Sequence, residues 1–186
     1  MSENLKEWIK DIVSAVVIAV VVLQFIMPTM VCEHSMEESF HEHDYLFVSK
    51  MAYKLGGDPK YGDVIVFQSD IPNGNSGKNK LLIKRVIGVP GDKIYIDGQT
   101  VYLNGKALDE PYTKDGYTAT YMDEVTVPEN ALFVMGDNRQ NSADSRDVVN
   151  VGFVEMERVK GKVFLRLFPI KDFGGVYKNI DRDINK

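Results

Sequence analysis

The sequence predicts a mainly β domain, an antiparallel folded sheet or barrel, behind one N-terminal transmembrane helix. Two observations support this prediction: an apolar run of membrane length near the N-terminus, and a series of short β-rich runs separated by turn residues after it. At 186 residues, the chain is long enough for one ordinary domain with a small elaboration. Its hydrophobic content of 44% and charged content of 26% are typical of a globular protein.

The apolar run covers residues 12–30. Its non-apolar members are Ser14, Gln24, Pro28 and Thr29. As a helix, the run would extend about 28 Å, close to the thickness of the hydrocarbon core, with Trp8 at the interface. A cleavable signal peptide is disfavoured because the run is long and no Ala-x-Ala follows it. A buried core helix is disfavoured because the run lacks a polar stripe. We therefore predict a retained anchor.

The distribution of lysine and arginine predicts the orientation of the anchor. Lys6 and Lys10 precede the run, whereas residues 31–49 contain neither Lys nor Arg. The positive-inside rule therefore places residues 1–11 in the cytoplasm as a short N-terminus and the domain on the extracytoplasmic side. We expect a single-pass protein of the cell membrane.

Seven short runs after the anchor are predicted as strands. They cover residues 44–48, 64–67, 81–89, 94–96, 100–103, 132–135 and 163–165. Asp97-Gly98 and Asn104-Gly105 predict tight hairpin turns. Residues 71–80 are polar and turn-rich, so we expect a loop between two strands.

Two segments lack a strand pattern. Residues 109–128 are polar and aromatic without a clear period, and together with the preceding meander they predict a small β-hairpin insertion at about 93–130. Residues 171–186 predict a polar C-terminal tail, because nothing in them signals burial. The domain itself is thus expected to cover residues 31–170.

Charge and cysteine content exclude some interpretations. The net charge of -5 gives no support to nucleic-acid binding. The single cysteine, Cys32, excludes an internal disulfide, so the core must hold the fold together. Because no catalytic motif surrounds Cys32, we interpret it as a spare thiol.

A serine and a lysine occupy unusual settings. Ser35 comes five residues after the apolar run, and Lys84 lies within the apolar stretch of residues 81–87. A lysine in an apolar strand loses hydration, which favours its neutral amine. A neutral amine can accept a proton from a serine hydroxyl. If the two side chains meet, they could form a hydrolase site at a membrane face.

Periodicity leaves open whether Lys84 or Arg85 faces inward. Strand alternation places the two residues on opposite faces, each with apolar neighbours. An inward arginine could not act as a base, because arginine stays protonated in proteins.

A third polar block, residues 136–146, follows the strand at 132–135. Alone it would be interpreted as an Asx-type turn with surface charges.

Together these blocks resemble the type I signal peptidases, the membrane-bound serine–lysine proteases of the bacterial envelope that form family S26. The resemblance extends from the anchor to about Pro169. It rests on Ser35-Met36, residues 61–67, 84–92 and 136–146, Gly161-Lys162-Val163 and Phe168-Pro169. The single span and the small insertion are most similar to the Gram-positive members. The resemblance implies the signal-peptidase fold for residues 31–170.

The resemblance also implies site residues. Ser35 would be the nucleophile, with its backbone N–H donating to the oxyanion, and Lys84 would be the general base. Ser142 would hydrogen-bond and orient the lysine amine. Asp144 and Arg146 would form a supporting ion pair. Neither a metal nor an organic cofactor is expected.

The segment around Ser35 departs from the family pattern Ser-Met-x-Pro-Thr-Leu. Glu38 replaces the proline, and Glu33 stands where the family commonly has Ser or Gly. A carboxylate cannot donate to an oxyanion unless it is protonated. Glu33 would also raise the pKa of Lys84 if it came close. We expect a working dyad whose efficiency depends on the position of Glu33.

Three histidines lie close to Ser35. His34 could suggest a Ser–His hydrolase, but it would have difficulty folding back onto the neighbouring hydroxyl. His41 and His43 could suggest a metal site, but two ligands fall short of the usual three or four. We interpret all three as surface residues.

The expected reaction is endoproteolysis that removes N-terminal signal peptides from secretory preproteins at the membrane. The resemblance implies small side chains at the first and third positions before the cut, in a segment that binds as an added strand.

Two alternatives to this function remain. One is a self-cleaving serine–lysine protease of the repressor type, against which the membrane span argues. The other is a non-catalytic, membrane-anchored β module that binds envelope partners.

Overall fold

The computed structural model describes residues 3–55, 57–74 and 77–176. It begins with the helix α1 (Glu3–Phe25). Eleven strands follow among the described residues: β1 (Ile26–Met30), β2 (Tyr45–Ser49), β3 (Val64–Pro72), β4 (Asn79–Gly88), β5 (Lys93–Asp97), β6 (Val101–Leu103), β7 (Lys106–Ala107), β8 (Tyr121–Thr126), β9 (Ala131–Met135), β10 (Val154–Glu155) and β11 (Val159–Phe168).

The strands form two antiparallel sheets. The larger sheet has seven strands in the order β1-β2-β11-β3-β4-β9-β10, and the smaller has four in the order β7-β6-β5-β8. The predicted fold class, mainly antiparallel β behind one N-terminal helix, is confirmed for the described residues. Of the residues predicted for the site, Lys84 lies on β4 of the larger sheet, and the others lie in segments that connect strands of that sheet. The smaller sheet falls within residues 93–130, where the hairpin insertion was predicted.

The helix α1 ends earlier than predicted. Within it, Asn4–Phe25 is long and apolar enough to cross a membrane, and an 18-residue stretch of this segment has a mean hydropathy of 2.0. The expectation that the membrane helix continues to Met30 is wrong, because Ile26–Met30 forms β1 and pairs antiparallel with β2. Pro28 cannot continue a helix because it lacks an N–H and clashes with the preceding turn. As part of an edge strand, the same residue is tolerated.

The strand β4 is covered on both faces. Lys84 and Arg85 point to opposite faces, yet each is only 1% exposed. Periodicity left open which of the two is inward, and chemistry favoured Lys84; the structure buries both. Since a buried charge needs a partner, each face of β4 must supply one.

Several other segments differ from expectation. β8 lies within the segment that showed no strand period, and it pairs with β5. The loop predicted at 71–80 is shorter, because β3 extends to Pro72 and β4 begins at Asn79. Of the predicted tail, Gly174 folds back to bridge Arg166 of β11, and residues 177–186 lie outside the described residues.

Candidate active site

Ser35 lies on a short 3₁₀ helix, His34–Met36, between β1 and β2. Met36 and Phe40 fix this turn, because their side chains are fully buried against Val31, Leu46 and neighbouring strands. Ser35 itself is 7% exposed. The apolar residues on both sides of the serine therefore hold it in a defined position.

Lys84 of β4 reaches this turn. Its Nζ lies 2.7 Å from Ser35 Oγ and donates a second hydrogen bond of 3.0 Å to Ile83 O. Burial lowers the pKa of Lys84 to about 8, although the carboxylates of Asp144 and Glu33 act in the opposite direction. A substantial fraction of the amine is thus neutral in mildly alkaline solution, as a general base requires.

The block at residues 136–146 holds the serine turn through its backbone. Asn138 N–H donates to Ser35 O at 3.1 Å, and Asn138 Nδ2 donates to His34 O at 3.0 Å. The predicted Asp144–Arg146 ion pair is present, with Arg146 Nε 2.8 Å from Asp144 Oδ1. Burial opposes ionisation of Asp144, but Arg146 and the Gly136 N–H lower its pKa below the usual value.

Ser142 does not make the expected hydrogen bond. The Lys84 amine is bonded to Ser35 and Ile83, whereas Ser142 Oγ is buried without a hydrogen-bond partner among the described residues. The hydroxyl lies near enough to Asp144 to favour its ionised form and lower its pKa slightly further, without the geometry of a bond.

Gly136 explains how closely the block approaches the serine turn. A Cβ added at Gly136 would lie 2.3 Å from Ser142 Oγ and 2.5 Å from Ser35 O. Real Cβ atoms do not approach other atoms so closely, so only glycine fits between the two serines. Ser142 is therefore brought against the turn that carries Ser35 even though it does not reach the lysine.

A buried charge network near Ser35 and Lys84 was not predicted. Arg85 donates from Nε to Asp137 Oδ1 at 2.8 Å, and both side chains are almost fully buried. The Arg85 guanidinium also lies over the ring of Tyr112, 4.1 Å from its centroid. The polar block and the lysine–arginine pair could have suggested such contacts, but no pattern indicates which residues pair.

Residues 109–128, the segment without a strand period, supply the other half of this charge network. Glu110 receives two hydrogen bonds from Arg139, and the Nη1 contact is 2.7 Å long. Lys114 Nζ lies 2.9 Å from Glu37 Oε2, just after the serine turn. The insertion is therefore attached to the block at 136–146 through Arg139, and to the segment just after Ser35 through Glu37.

The residues that depart from the family pattern lie at the surface. Glu33 Oε1 is 3.1 Å from Lys80 Nζ, and both side chains are around two-fifths exposed. Glu38, Cys32 and the three histidines are exposed as well. Across the described residues, no cluster of His, Cys, Asp or Glu suits a metal ion.

A cleft of about 720 Å³ has Ser35 in its lining. One wall is formed by Thr29 and residues 30–33, and the opposite wall by residues 79–83 of β4. Met36 and Val66 contribute an apolar floor. A space between two extended backbone segments suits an extended peptide, because the segments can hydrogen-bond to it on both sides.

A family model and the curated relatives of this chain agree on one family. A family model described as signal peptidase, peptidase S26, matches residues 5–168. Signal peptidase I of Bacillus amyloliquefaciens is 36% identical, and the match covers 89% of each chain. Signal peptidase IB of Staphylococcus aureus is 34% identical over 93% of this chain and 94% of its own. A crystal structure of a signal peptidase I from Enterococcus faecalis aligns with 56% of this chain and 96% of its own, at 31% identity and a TM-score of 0.44.

Proposed function

This chain belongs to the signal peptidase family, peptidase S26, and we propose that Ser35 and Lys84 are the catalytic dyad with which it removes signal peptides from secreted preproteins. It is a serine endopeptidase, held by its N-terminal helix as a single-pass membrane protein. The observation that supports the dyad is the 2.7 Å distance between Lys84 Nζ and Ser35 Oγ in a buried setting.

In the first step, Ser35 Oγ attacks the carbonyl carbon of the scissile bond while the neutral Lys84 amine takes the hydroxyl proton. The tetrahedral intermediate collapses when protonated Lys84 gives that proton to the leaving amine, and the acyl-enzyme remains. Lys84 then takes a proton from water, which attacks the ester carbonyl. Return of the proton to Ser35 Oγ releases the second product and restores the enzyme.

The supporting residues hold this geometry. The Ser35 N–H donates to the developing oxyanion, where preorganised donors are most effective. Asp144 and Arg146 fix the loop that carries Ser142. To orient the lysine amine during the reaction, the Ser142 hydroxyl must turn towards it, because the two are not hydrogen-bonded in this structure. Glu33 offers no second donor in its ionised form, so oxyanion stabilisation is weaker than with a hydroxyl at this position.

The substrate lies extended in the cleft and adds a strand between its two walls. Small side chains occupy the first and third positions before the cut. Residues 1–11 are cytoplasmic, and residues 31–170 act on the extracytoplasmic side, with lipid around the anchor. Anchoring enzyme and preprotein in one membrane raises their effective concentration.

The dyad is tested by cleavage of a preprotein with the full chain in detergent. Ser35→Ala and Lys84→Ala should each reduce kcat by several orders of magnitude, while Lys106→Ala, at an exposed position on β7, should cleave like the wild type. Cleavage that survives either dyad substitution would contradict the assignment. Absence of cleavage by the wild type would favour the membrane-anchored binding module instead.

A further inference from the structure

A second cavity, of about 540 Å³, lies where the anchor joins the sheet. Lys50, on its rim, donates from Nζ to Leu23 O at 2.7 Å, and its backbone N–H donates to Phe25 O at 2.9 Å. These bonds place the rim beside the last turn of the membrane-spanning helix. The cavity therefore opens at the depth where lipid headgroups meet the protein.

The lining of this cavity favours an anion. Three lysines contribute to it, Lys50, Lys54 and Lys160, against one acid, Glu157. Met27, Met156 and Val159 add apolar surface to the same lining. A lining that combines apolar surface with cationic side chains matches a group that carries negative charge at one end and hydrocarbon at the other.

Asp63 does not line the cavity but contacts one of its lining residues, and its charge is already neutralised. Tyr53, which lines the cavity, donates its hydroxyl to Asp63 Oδ2 at 2.9 Å. Asp63 Oδ1 lies 2.7 Å from Lys162 Nζ, and the carboxylate is fully buried. Asp63 thus leaves the charge of the three lining lysines undiminished.

We propose that this cavity binds the phosphate group of a membrane lipid at the exit of the anchor. The phosphate lies between Lys54 and Lys160, and the glycerol and the first acyl carbons cover Met27 and Met156. The proposal rests on the proposed function only in that the anchor spans a membrane, and it does not require the dyad to be catalytic. Lysines near an anionic lipid surface each strengthen association about fivefold.

The position of the cavity also gives the bound lipid a role. Met27 and Lys160 line both this cavity and the cleft that has Ser35 in its lining. A lipid phosphate held there sits beside the end of the cleft that is nearest to the anchor. It fixes the height of the cleft above the bilayer, and with it the point at which a membrane-tethered peptide can enter.

The test uses the full chain in a non-ionic detergent without phosphate, titrated by calorimetry with a short-chain phosphatidylglycerol. The variants are Lys54→Gln/Lys160→Gln and, as a matched control, Lys93→Gln/Lys106→Gln on the smaller sheet. We expect the first pair to weaken binding roughly 25-fold and the control to stay within about twofold of the wild type. Ser35→Ala should bind like the wild type, which separates this test from that of the dyad.

Three results would overturn the proposal. Equal affinity of both double variants would show that the lipid associates with the detergent belt and not with the cavity. Equally tight binding of glycerol 1-phosphate would assign the site to a soluble phosphate. Displacement of the lipid by a saturating substrate peptide would show that the cavity belongs to the peptide-binding cleft.

Discussion

Glu33 and Lys80 form an ion pair across the cleft beside Ser35, with 3.1 Å between Glu33 Oε1 and Lys80 Nζ. One residue belongs to the wall that follows β1 and the other to β4. The Glu33 carboxylate therefore points across the cleft opening, where Lys80 offsets part of its charge. It still raises the pKa of Lys84, against the larger effect of burial.

Replacing Glu33 with Ser should increase turnover. The substitution removes a charge that favours protonated Lys84, and it adds a hydroxyl that can donate to the oxyanion. We expect kcat at pH 7 to rise roughly two- to tenfold and the acid limb of the pH profile to move to lower pH. Glu38→Ser, at an exposed position in the same segment, is the control. Unchanged kinetics in Glu33→Ser would show that the carboxylate does not influence the reaction.

The pH profile of kcat/KM should reveal the lysine. Burial lowers the pKa of Lys84 to about 8, and only the neutral amine can accept the serine proton. The rate should therefore rise about tenfold per pH unit below pH 8 and level off above it. Initial rates with a peptide substrate between pH 6 and 10 measure this. A flat profile through neutral and alkaline pH would exclude Lys84 as the base.

Substituting Lys84 with Met should stabilise the protein while abolishing activity. Because the folded pKa is about 8 and the ordinary value 10.5, the unfolded chain binds more protons between these pH values, and stability rises with pH there. The cost of the buried charge, on the order of 3 kcal/mol, is greatest below pH 8 and vanishes above about pH 10.5. Thermal unfolding of Lys84→Met and wild type at pH 7 and pH 10.5 compares the two conditions. A gain in Tm of equal size at both would contradict this account.

Most of the sheet could be predicted because buried strands have a distinct composition. β9 is buried at every position, and β3 and β4 are buried over most of their length, so they appear as apolar runs. β8 was missed because its residues are largely exposed and show no alternation. β1 was missed because its apolar residues continue the membrane run, and hydropathy does not distinguish lipid from a protein core. Only Pro28 marked the change from helix to strand.

Site residues could be predicted where their own sequence neighbours indicate them, and could not be predicted where their role depends on a residue far away in the sequence. Lys84 was indicated by its own apolar neighbours and Ser35 by its position just after the apolar run, and the resemblance then implied the role of each. Arg85 and Asp137, by contrast, are 52 positions apart in the sequence. Nothing in the periodicity of either segment shows that one neutralises the other. Such pairs follow from the fold as a whole and require the structure.

Replacing Ser142 with Ala should separate activity from stability. Its hydroxyl is buried without a hydrogen bond, which costs about 1–3 kcal/mol, so removing it should leave the Tm unchanged or higher. If the hydroxyl turns towards the lysine amine in the reaction, kcat should fall at least about tenfold with little change in KM. Steady-state kinetics and thermal unfolding of the same preparation measure both effects. A variant with full activity would remove Ser142 from the site.

Replacing Gly136 with Ala should inactivate the enzyme by displacing Ser35, the proposed nucleophile. The new Cβ would lie 2.5 Å from Ser35 O, a backbone atom that can move only with the serine turn. A displacement of about 1 Å at the reacting atoms can reduce the rate about a hundredfold. Gly175→Ala is the matched control, since a Cβ there meets nothing within 4 Å. The rate at which a serine-directed acylating inhibitor labels Ser35 measures the effect without a protein substrate. Equal labelling of the two variants would mean that the block at 136–146 can move without moving Ser35.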